Sequence, residues 1–265
     1  MKEGGRRVTD QSKAWEKGKP IISIITVVYN CHDEMKATLE SIALLDWPNI
    51  EHIVVDGGST DRTIMLLEQN NNEIEYWVSE PDNGLYDAMN KAMRLATGDY
   101  LWFINSGDHP YNDGVLRAVF SGSETEADMY YGDTEIIAND GSSIGMRRLR
   151  PPEKLTWKSL KKGMLICHQS ILVRRELCPE FDTSLKLAAD FDWLMRILRN
   201  SKKIVNTRLI ITKFLDGGLS KKKIRLALKE RFLVMKRNYG WLPTVIAHIP
   251  IVFRFVLFFV KNRRF

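Results

Sequence analysis

Residues 21–29 read IISIITVVY, a charge-free run dominated by β-branched side chains. A strand with one wet face alternates apolar and polar residues, and this one does not, so both of its faces must be covered. Shorter runs of the same kind recur at HIVVD (52–56), EYWVS (75–79) and YLWFI (100–104). Between them lie stretches of helical character. Asn30 and Asp33 can cap a helix running to about Leu45, Ser59, Thr60 or Asp61 can cap one through STDRTIMLLEQN, and GLYDAMNKAMRLAT is stopped by Gly98. Strands and helices in alternation predict an α/β fold, a Rossmann-like, mostly parallel sheet flanked by helices. From Met129 the pattern changes. MYYGDTEIIANDGSSIGMRR reads as two strands around an Asp140-Gly141 turn, an antiparallel insertion, and SILVRR and LAADFDWLMRILRN supply a further strand and helix.

At 265 residues the chain can bury a full core as one large domain or two small ones, and 44% apolar with 27% charged residues is a soluble composition. Its three cysteines form no C-x-x-C pair, which favours a reducing compartment. Residues 1–19 carry no apolar segment of secretory type and are expected to form a polar arm. Charge is unevenly spread. Residues 200–265 hold 16 Lys/Arg against two acids, +14, while the remainder holds 23 against 31, −8. A basic tail on an acidic body suits a polyanionic surface, and the Phe/Leu/Val-rich runs within that tail favour lipid over nucleic acid.

In open parallel sheets, ligands bind where loops leave the C-terminal ends of the strands. Four such ends carry Tyr29-Asn30, Asp56-Gly57-Gly58, Ser79-Glu80-Pro81-Asp82 and Asn105-Ser106-Gly107-Asp108. Turn formation explains any one of them. Four on one edge indicate a cleft. Neither G-x-G-x-x-G nor G-x-x-x-x-G-K-[ST] is present, so a bound diphosphate would call for a metal held by carboxylate oxygen, Mg2+ or Mn2+.

Taken in order, IISIITVVYN, IVVDGGSTDRT, SEPDNGLYDAMNKAMRLATGDYLWFINSGD, CHQSILVRR, LAADFDW and GGLS resemble the family 2 glycosyltransferases over residues 21–220, nearest to the bacterial exopolysaccharide, colanic-acid-like and O-antigen type. The resemblance implies a GT-A fold, a nucleotide-diphosphate sugar donor (a UDP-sugar foremost), a divalent metal (Mn2+ or Mg2+) and inversion at the anomeric carbon. It divides the chain into a donor-binding half at 20–135, an acceptor-binding and catalytic half at 136–219, and a C-terminal segment at 220–265. It places Asp108 on the metal, and Asn105 or Ser106 at the ribose or diphosphate. Asp56 would meet the nucleobase or ribose, with Gly57 and Gly58 leaving room. Thr26, Tyr29 and Asn30 would line the same pocket, and Asp82 and Gly84 would close over it. Asn90 and Lys91 follow on a helix, where Lys91 reads as a solvated residue. Asp190 would be the base that deprotonates the acceptor hydroxyl, Asp192 a structural or donor-sugar residue, and His168 and Gln169 neighbours of the donor sugar or acceptor. Asn105, Gly107 and Ala189 stand where the family commonly carries acids. That departure keeps open a binder that has lost catalysis. A nucleotidyltransferase is the other alternative.

In the tail, KKKIRLALKERFLVMKRN sets Ile224, Leu228, Phe232 and Met235 among basic residues, the pattern of an amphipathic basic helix. WLPTVIAHIPIVFRFVLFFV (241–260) is long enough for a bilayer, but its prolines, His248, Arg254 and two basic flanks favour a helix lying in the interface over a spanning helix, with a core or dimer helix as the third alternative. The expected partners are a lipid-linked saccharide acceptor and an anionic membrane surface. Nucleic acid is not among them, and an oligomer is left open. The expected location is the cytoplasmic face of the inner membrane, with the protein held there as a peripheral or monotopic one.

Overall fold

The computed structural model describes residues 1–11, 13–121, 126–217 and 223–250. Most of GGLS and residues 251–260 of the apolar tail lie outside the described residues. The strands are β1 (Lys2–Gly4), β2 (Ile22–Val28), β3 (Ile50–Asp56), β4 (Tyr76–Ser79), β5 (Tyr100–Phe103), β6 (His109–Pro110), β7 (Met129–Ile137), β8 (Ser143–Met146), β9 (Ile171–Arg174) and β10 (Ile204–Leu215). The helices are α1 (His32–Ala43), α2 (Thr63–Gln69), α3 (Leu85–Leu95), α4 (Val115–Phe120), α5 (Ala189–Asn200) and α6 (Ile224–Tyr239), and residues 241–250 are helical as well.

All described strands join one mixed sheet in the order β1-β4-β3-β2-β5-β9-β7-β10-β6, with β8 on β7. β4, β3, β2 and β5 run parallel, and β9 enters antiparallel beside β5. The expected insertion is present, since β7 and β8 pair antiparallel around residues 138–142. Every residue of β2 is buried because its two faces have different owners. Ile25 and Val27 join α3, α5 and α6, whereas Ile22 and Ile24 join α1 and α4 and Val28 joins α1 and α2.

The polar arm is part of the sheet. β1 pairs with β4, and the Arg7 guanidinium bonds the fully buried Glu51 and donates to the Leu95 carbonyl at 2.7 Å. β10 is not foreseen from the pattern. It lies parallel to β7, and its register breaks between Asn206 and Thr212, where Arg208 takes φ +57°. A strand so interrupted shows neither a continuous apolar run nor an alternation.

The C-terminal helix differs from expectation. α6 packs one face on the core. Of the apolar stripe expected on it, Met235 is fully buried and lies with Ala227, Glu230 and Val234 against the core, whereas Ile224 and Leu228 are exposed. Among the described residues no helix is long and apolar enough to cross a membrane.

Candidate active site

The loops leaving β2, β3 and β4 are tied to one another. Asp56 was expected to meet a nucleobase or ribose, yet it is fully buried, and its carboxylate accepts from Gly58 N (3.1 Å), Ser59 N (2.9 Å), Ser59 Oγ and Ser79 Oγ (2.6 Å). With those four donors its role here is to shape the loops. Thr26 is likewise no pocket residue. It is wholly buried, donates to the Ile104 carbonyl at 2.7 Å and lies 3.0 Å from His52 Nε2. Both corrections share one cause: short polar side chains at a covered strand end find partners in the next strand before they reach solvent.

The neighbouring residues do face outward. Tyr29 is 60% exposed at the end of β2. Asn30, at φ +49°, accepts from Thr60 N at 2.8 Å and so joins the β2 loop to the β3 loop. A Cβ on Gly57 would stand 2.4 Å from Asp82 Oδ2 and 3.4 Å from Tyr29 Cδ2, so glycine is what lets the three loops converge. Asp82 Oδ1 accepts from Gly84 N at 2.7 Å and shapes the turn into α3. Lys91 is no idle surface residue: its Nζ donates to the Pro81 carbonyl (3.0 Å) and pairs with Glu80 (2.9 Å), pinning that loop from α3. Asn90, 3% exposed, bonds the Phe181 backbone through both amide atoms.

At the end of β5, Asp108 is 4% exposed. Its Oδ1 accepts from Leu215 N at 3.1 Å and its Oδ2 from Gln169 Nε2 at 2.9 Å. Burial pushes its carboxyl up to about 7, against the pull of those donors. Each oxygen of Asp108 accepts one of these hydrogen bonds and keeps a second lone pair, but the carboxylate is buried and turned toward β10 and Gln169. Among the described residues no three His, Cys, Asp or Glu side chains gather to hold a cation. The metal expected at Asp108 thus finds no ready-made cluster of such ligands among the described residues. That carboxylate instead clamps β10 to the β5 loop. Gly107 permits the clamp, at φ +91° with Leu215 where a Cβ would be. Gln169, expected near the sugars, is 3% exposed and spans Asp108 and the Cys167 thiol, which donates to its Oε1 at 2.8 Å. Ser106 is half-buried, and its hydroxyl lies 3.5 Å from the Cys31 carbonyl. Asn105 Oδ1 is buried with no hydrogen-bond partner among the described residues, an acceptor available at this strand end.

Asp190 sits inside the first turn of α5, which begins at Ala189 with Ala188 as its N-cap. Its side chain is 21% exposed, with His168 Nδ1 3.6 Å from Oδ2 and Tyr86 Oη donating to Oδ1 at 3.4 Å. Burial works to raise its carboxyl, but the His168 imidazole, then the Arg231 charge and the Phe191 N–H, leave it below the usual carboxylate range. His168 acts electrostatically on both Asp190 and Asp108 and lies between the two halves of the site. Its Nε2 is buried without a hydrogen-bond partner among the described residues. Asp192 takes the structural alternative: nearly buried, it bonds Arg196 at 2.8 Å one turn on.

Three neighbours of this centre were not foreseen. Tyr86 comes from α3, and Arg231 from α6 places its guanidinium 5.5 Å from the Phe191 ring centroid. Arg147 donates to the Leu149 and Met164 carbonyls and lies within the field of Cys167 and Arg231. The signal for Arg231 was the stripe Ala227, Glu230, Arg231, Val234, whose i, i+3, i+4, i+7 spacing marks one helix face. Chemically, a partly exposed carboxylate kept ionised beside an imidazole and a phenol can accept a proton from a bound hydroxyl.

Residues 23–180 match the family model described as glycosyl transferase family 2. An uncharacterised glycosyltransferase of Mycobacterium tuberculosis is 32% identical over 186 residues, 67% of this chain and 68% of its own length. A PGL/p-HBAD biosynthesis glycosyltransferase of Mycobacterium bovis is 30% identical over 214 residues, 76% of this chain and 79% of its own. Two solved structures share the fold at TM-score 0.62. One is S. aureus TarS 1-349 in complex with UDP-GlcNAc, 18% identical, covering 82% of this chain and 66% of that one. The other is the mannosyltransferase PcManGT from Pyrobaculum calidifontis with GDP-Man and Mn2+, 19% identical, covering 92% and 74%. The α/β sheet flanked by helices is thus the GT-A fold that the sequence resembles, and by the match across most of its length the chain belongs to glycosyl transferase family 2.

Proposed function

We propose that the protein transfers a hexosyl or N-acetylhexosaminyl unit, with inversion, from a nucleoside-diphosphate sugar to a lipid-linked saccharide in the assembly of a bacterial surface polysaccharide. The observation that carries this reading is Asp190: partly exposed, held below the usual carboxylate range, and set beside His168 in a chain that belongs to glycosyl transferase family 2. Asp190 accepts the proton of the acceptor hydroxyl as that oxygen attacks the anomeric carbon, and the nucleoside diphosphate leaves from the opposite face. Tyr29 offers an exposed aromatic ring for a base, and the Gly57–Asp82 crossing sets the loop beside it.

A UDP-sugar is the donor proposed first, on the strength of the UDP-GlcNAc bound by the TarS neighbour; GDP-mannose in the other neighbour is the competing choice. A divalent cation, Mn2+ or Mg2+, belongs to the proposal because the mannosyltransferase neighbour holds Mn2+. No described side chain is assigned to it. Work at the cytoplasmic membrane face, with the protein peripheral or monotopic, is proposed from the exposed apolar stripe Trp241, Leu242, Ile246 and Ile249 beside the basic α6. Involvement in surface glycans has support in the M. bovis relative, named for PGL/p-HBAD biosynthesis. The test is release of nucleoside diphosphate from UDP-glucose, UDP-N-acetylglucosamine and GDP-mannose, with and without membrane extract as acceptor. Tight nucleotide binding with no turnover in any arm would favour a binder that has lost catalysis.

A further inference from the structure

Glu230 is 5% exposed, on the face of α6 turned toward the core. Its Oε1 accepts from Lys186 N at 2.9 Å, and its Oε2 accepts from Leu187 N at 2.8 Å and Ala188 N at 3.1 Å. These three amides belong to the strip of chain that delivers α5, and Asp190 follows two residues later. The N-cap of α5, Ala188, has no side chain able to take a backbone N–H, and no cap bond forms locally. A local cap would take the N–H of residue 190 or 191, whereas Glu230 takes those of the incoming chain and of Ala188 itself, so a carboxylate from a distant helix anchors the approach to α5.

The adjacent Arg231 grips the other side. Its guanidinium lies 5.5 Å from the centroid of Phe191, the residue after Asp190, and its Nε donates to no acceptor among the described residues. α6 therefore touches the chain immediately before and immediately after the candidate base. A carboxylate must be held to within a fraction of an ångström of its proton donor to work, and a displacement of about 1 Å can cost about 10²-fold in rate.

We infer that Glu230 is a positioning residue for Asp190: by binding the three amides of residues 186–188 it fixes the start of α5 and so the place of the candidate base. The inference rests on the reading of Asp190 as base. It gives the C-terminal basic helix a part in turnover that does not depend on any membrane.

Wild type, Glu230→Gln, Glu230→Asp, Asp190→Asn and the double variant carrying Asp190→Asn with Glu230→Gln would be compared. Glu230→Gln keeps the shape but turns an N–H2 toward N–H donors, and Glu230→Asp keeps the charge but withdraws it by one methylene. Hydrogen exchange at the amides of 186–188 should quicken by about tenfold or more in Glu230→Gln while the β2 and β3 amides stay protected. Turnover of whichever donor wild type accepts, among UDP-glucose, UDP-N-acetylglucosamine and GDP-mannose, should fall in kcat by about 10- to 100-fold, with donor KM within about twofold. Glu230→Asp should fall between the two, and the double variant should be no slower than Asp190→Asn alone.

The exchange arm needs no substrate, and unchanged exchange at 186–188 overturns the inference by itself. Wild-type kcat in Glu230→Gln beside an inactive Asp190→Asn also overturns it and leaves the family 2 reading intact. A loss that multiplies on top of Asp190→Asn, or that appears in KM, marks a general structural role and overturns it too. Wild-type turnover in Asp190→Asn removes the base reading and the inference together.

Discussion

His168 Nδ1 stands 3.6 Å from Asp190 Oδ2, too far for a good hydrogen bond and close enough for the imidazole to hold that carboxylate ionised in a largely buried place. The two residues come from different elements, a turn before β9 and the first turn of α5, and meet only through the fold. The separation also leaves room. Tyr86 Oη and Phe191 N donate to Oδ1, so a substrate hydroxyl can approach at Oδ2.

Replacing Asp190 by Asn should therefore remove transfer while leaving nucleotide binding in place. Loss of a general base costs about 10²–10⁴-fold. Because the folded carboxyl lies below its usual value, the acid limb of the kcat profile should fall below about pH 4, with activity flat from there toward neutrality. Initial rates across pH, with calorimetry of UDP or GDP on both proteins, check this. An acid limb near pH 6 would assign the titration to another group.

Asp108 gives the opposite pH signature. Burial raises its folded carboxyl to about 7, well above an unfolded aspartate. Between those two values the folded state binds the extra proton, so its contribution to stability is complete below about pH 4 and is lost as pH rises through about 7. Asp108→Asn should flatten that decline in a series of urea melts. It should also lower stability at every pH, because one of the two donors, Leu215 N–H or the Gln169 amide, would then face an N–H2. The effect of Mn2+ on nucleotide affinity should be the same in the variant and in wild type. An effect of Mn2+ that vanishes with Asp108 would restore this carboxylate as a metal ligand.

The parallel half of the sheet was legible because β2 to β5 each bury both faces, and burial of that kind writes itself into a continuous apolar run. The strand-end loops were legible as a cluster, but not residue by residue. Asp56, Thr26, Asp108 and Gln169 have side chains that either bind a ligand or bind the next strand, and composition cannot tell these apart. The structure turns all four inward. β10 was illegible because its register shifts at Asn206 and Ile210 break any period. The role of α6 was hidden for a different reason. Its abundant lysines and arginines read as a surface for anions, while the face that matters holds Glu230 and Arg231 among Ala227, Val234 and Met235, with partners far away in sequence.

The N-terminal residues should matter for stability although they lie far from the cleft. Arg7 bonds Glu51, whose buried carboxylate also takes Ser23 Oγ, Thr97 Oγ1 and Thr97 N. Arg7→Ala leaves that carboxylate with hydroxyl and amide partners but no counter-charge, at a cost of about 1–3 kcal/mol. Urea denaturation should show a lower midpoint with an unchanged slope, and donor KM should not move. A variant as stable as wild type would mean that the hydroxyl and amide donors suffice for Glu51.

The last expectation concerns the apolar stripe beyond α6. Trp241, Leu242, Ile246 and Ile249 are 57 to 64% exposed, and three of them follow the i, i+4, i+7 spacing of one helix face. That face points outward because the other is occupied: Thr244 is fully buried and His248 meets the Phe232 ring edge-on at 5.0 Å. Exposed apolar side chains in such a row contribute to lipid binding by the area they bury, and each nearby Lys or Arg adds about 1 kcal/mol against an anionic leaflet. Truncation at 241 would also strip Thr244 and His248 from α6, so point changes test the surface more cleanly. The triple change Leu242→Asp, Ile246→Asp and Ile249→Asp should leave thermal stability and nucleotide binding unchanged and abolish co-sedimentation with phosphatidylglycerol vesicles. Wild type should bind those vesicles, prefer them to neutral phosphatidylcholine vesicles, and lose part of its binding at high salt, since only the electrostatic part is screened. Equal sedimentation of wild type and the triple variant would place the contact elsewhere. A wild type that ignores both vesicle types would end the membrane proposal while leaving the transferase reading untouched.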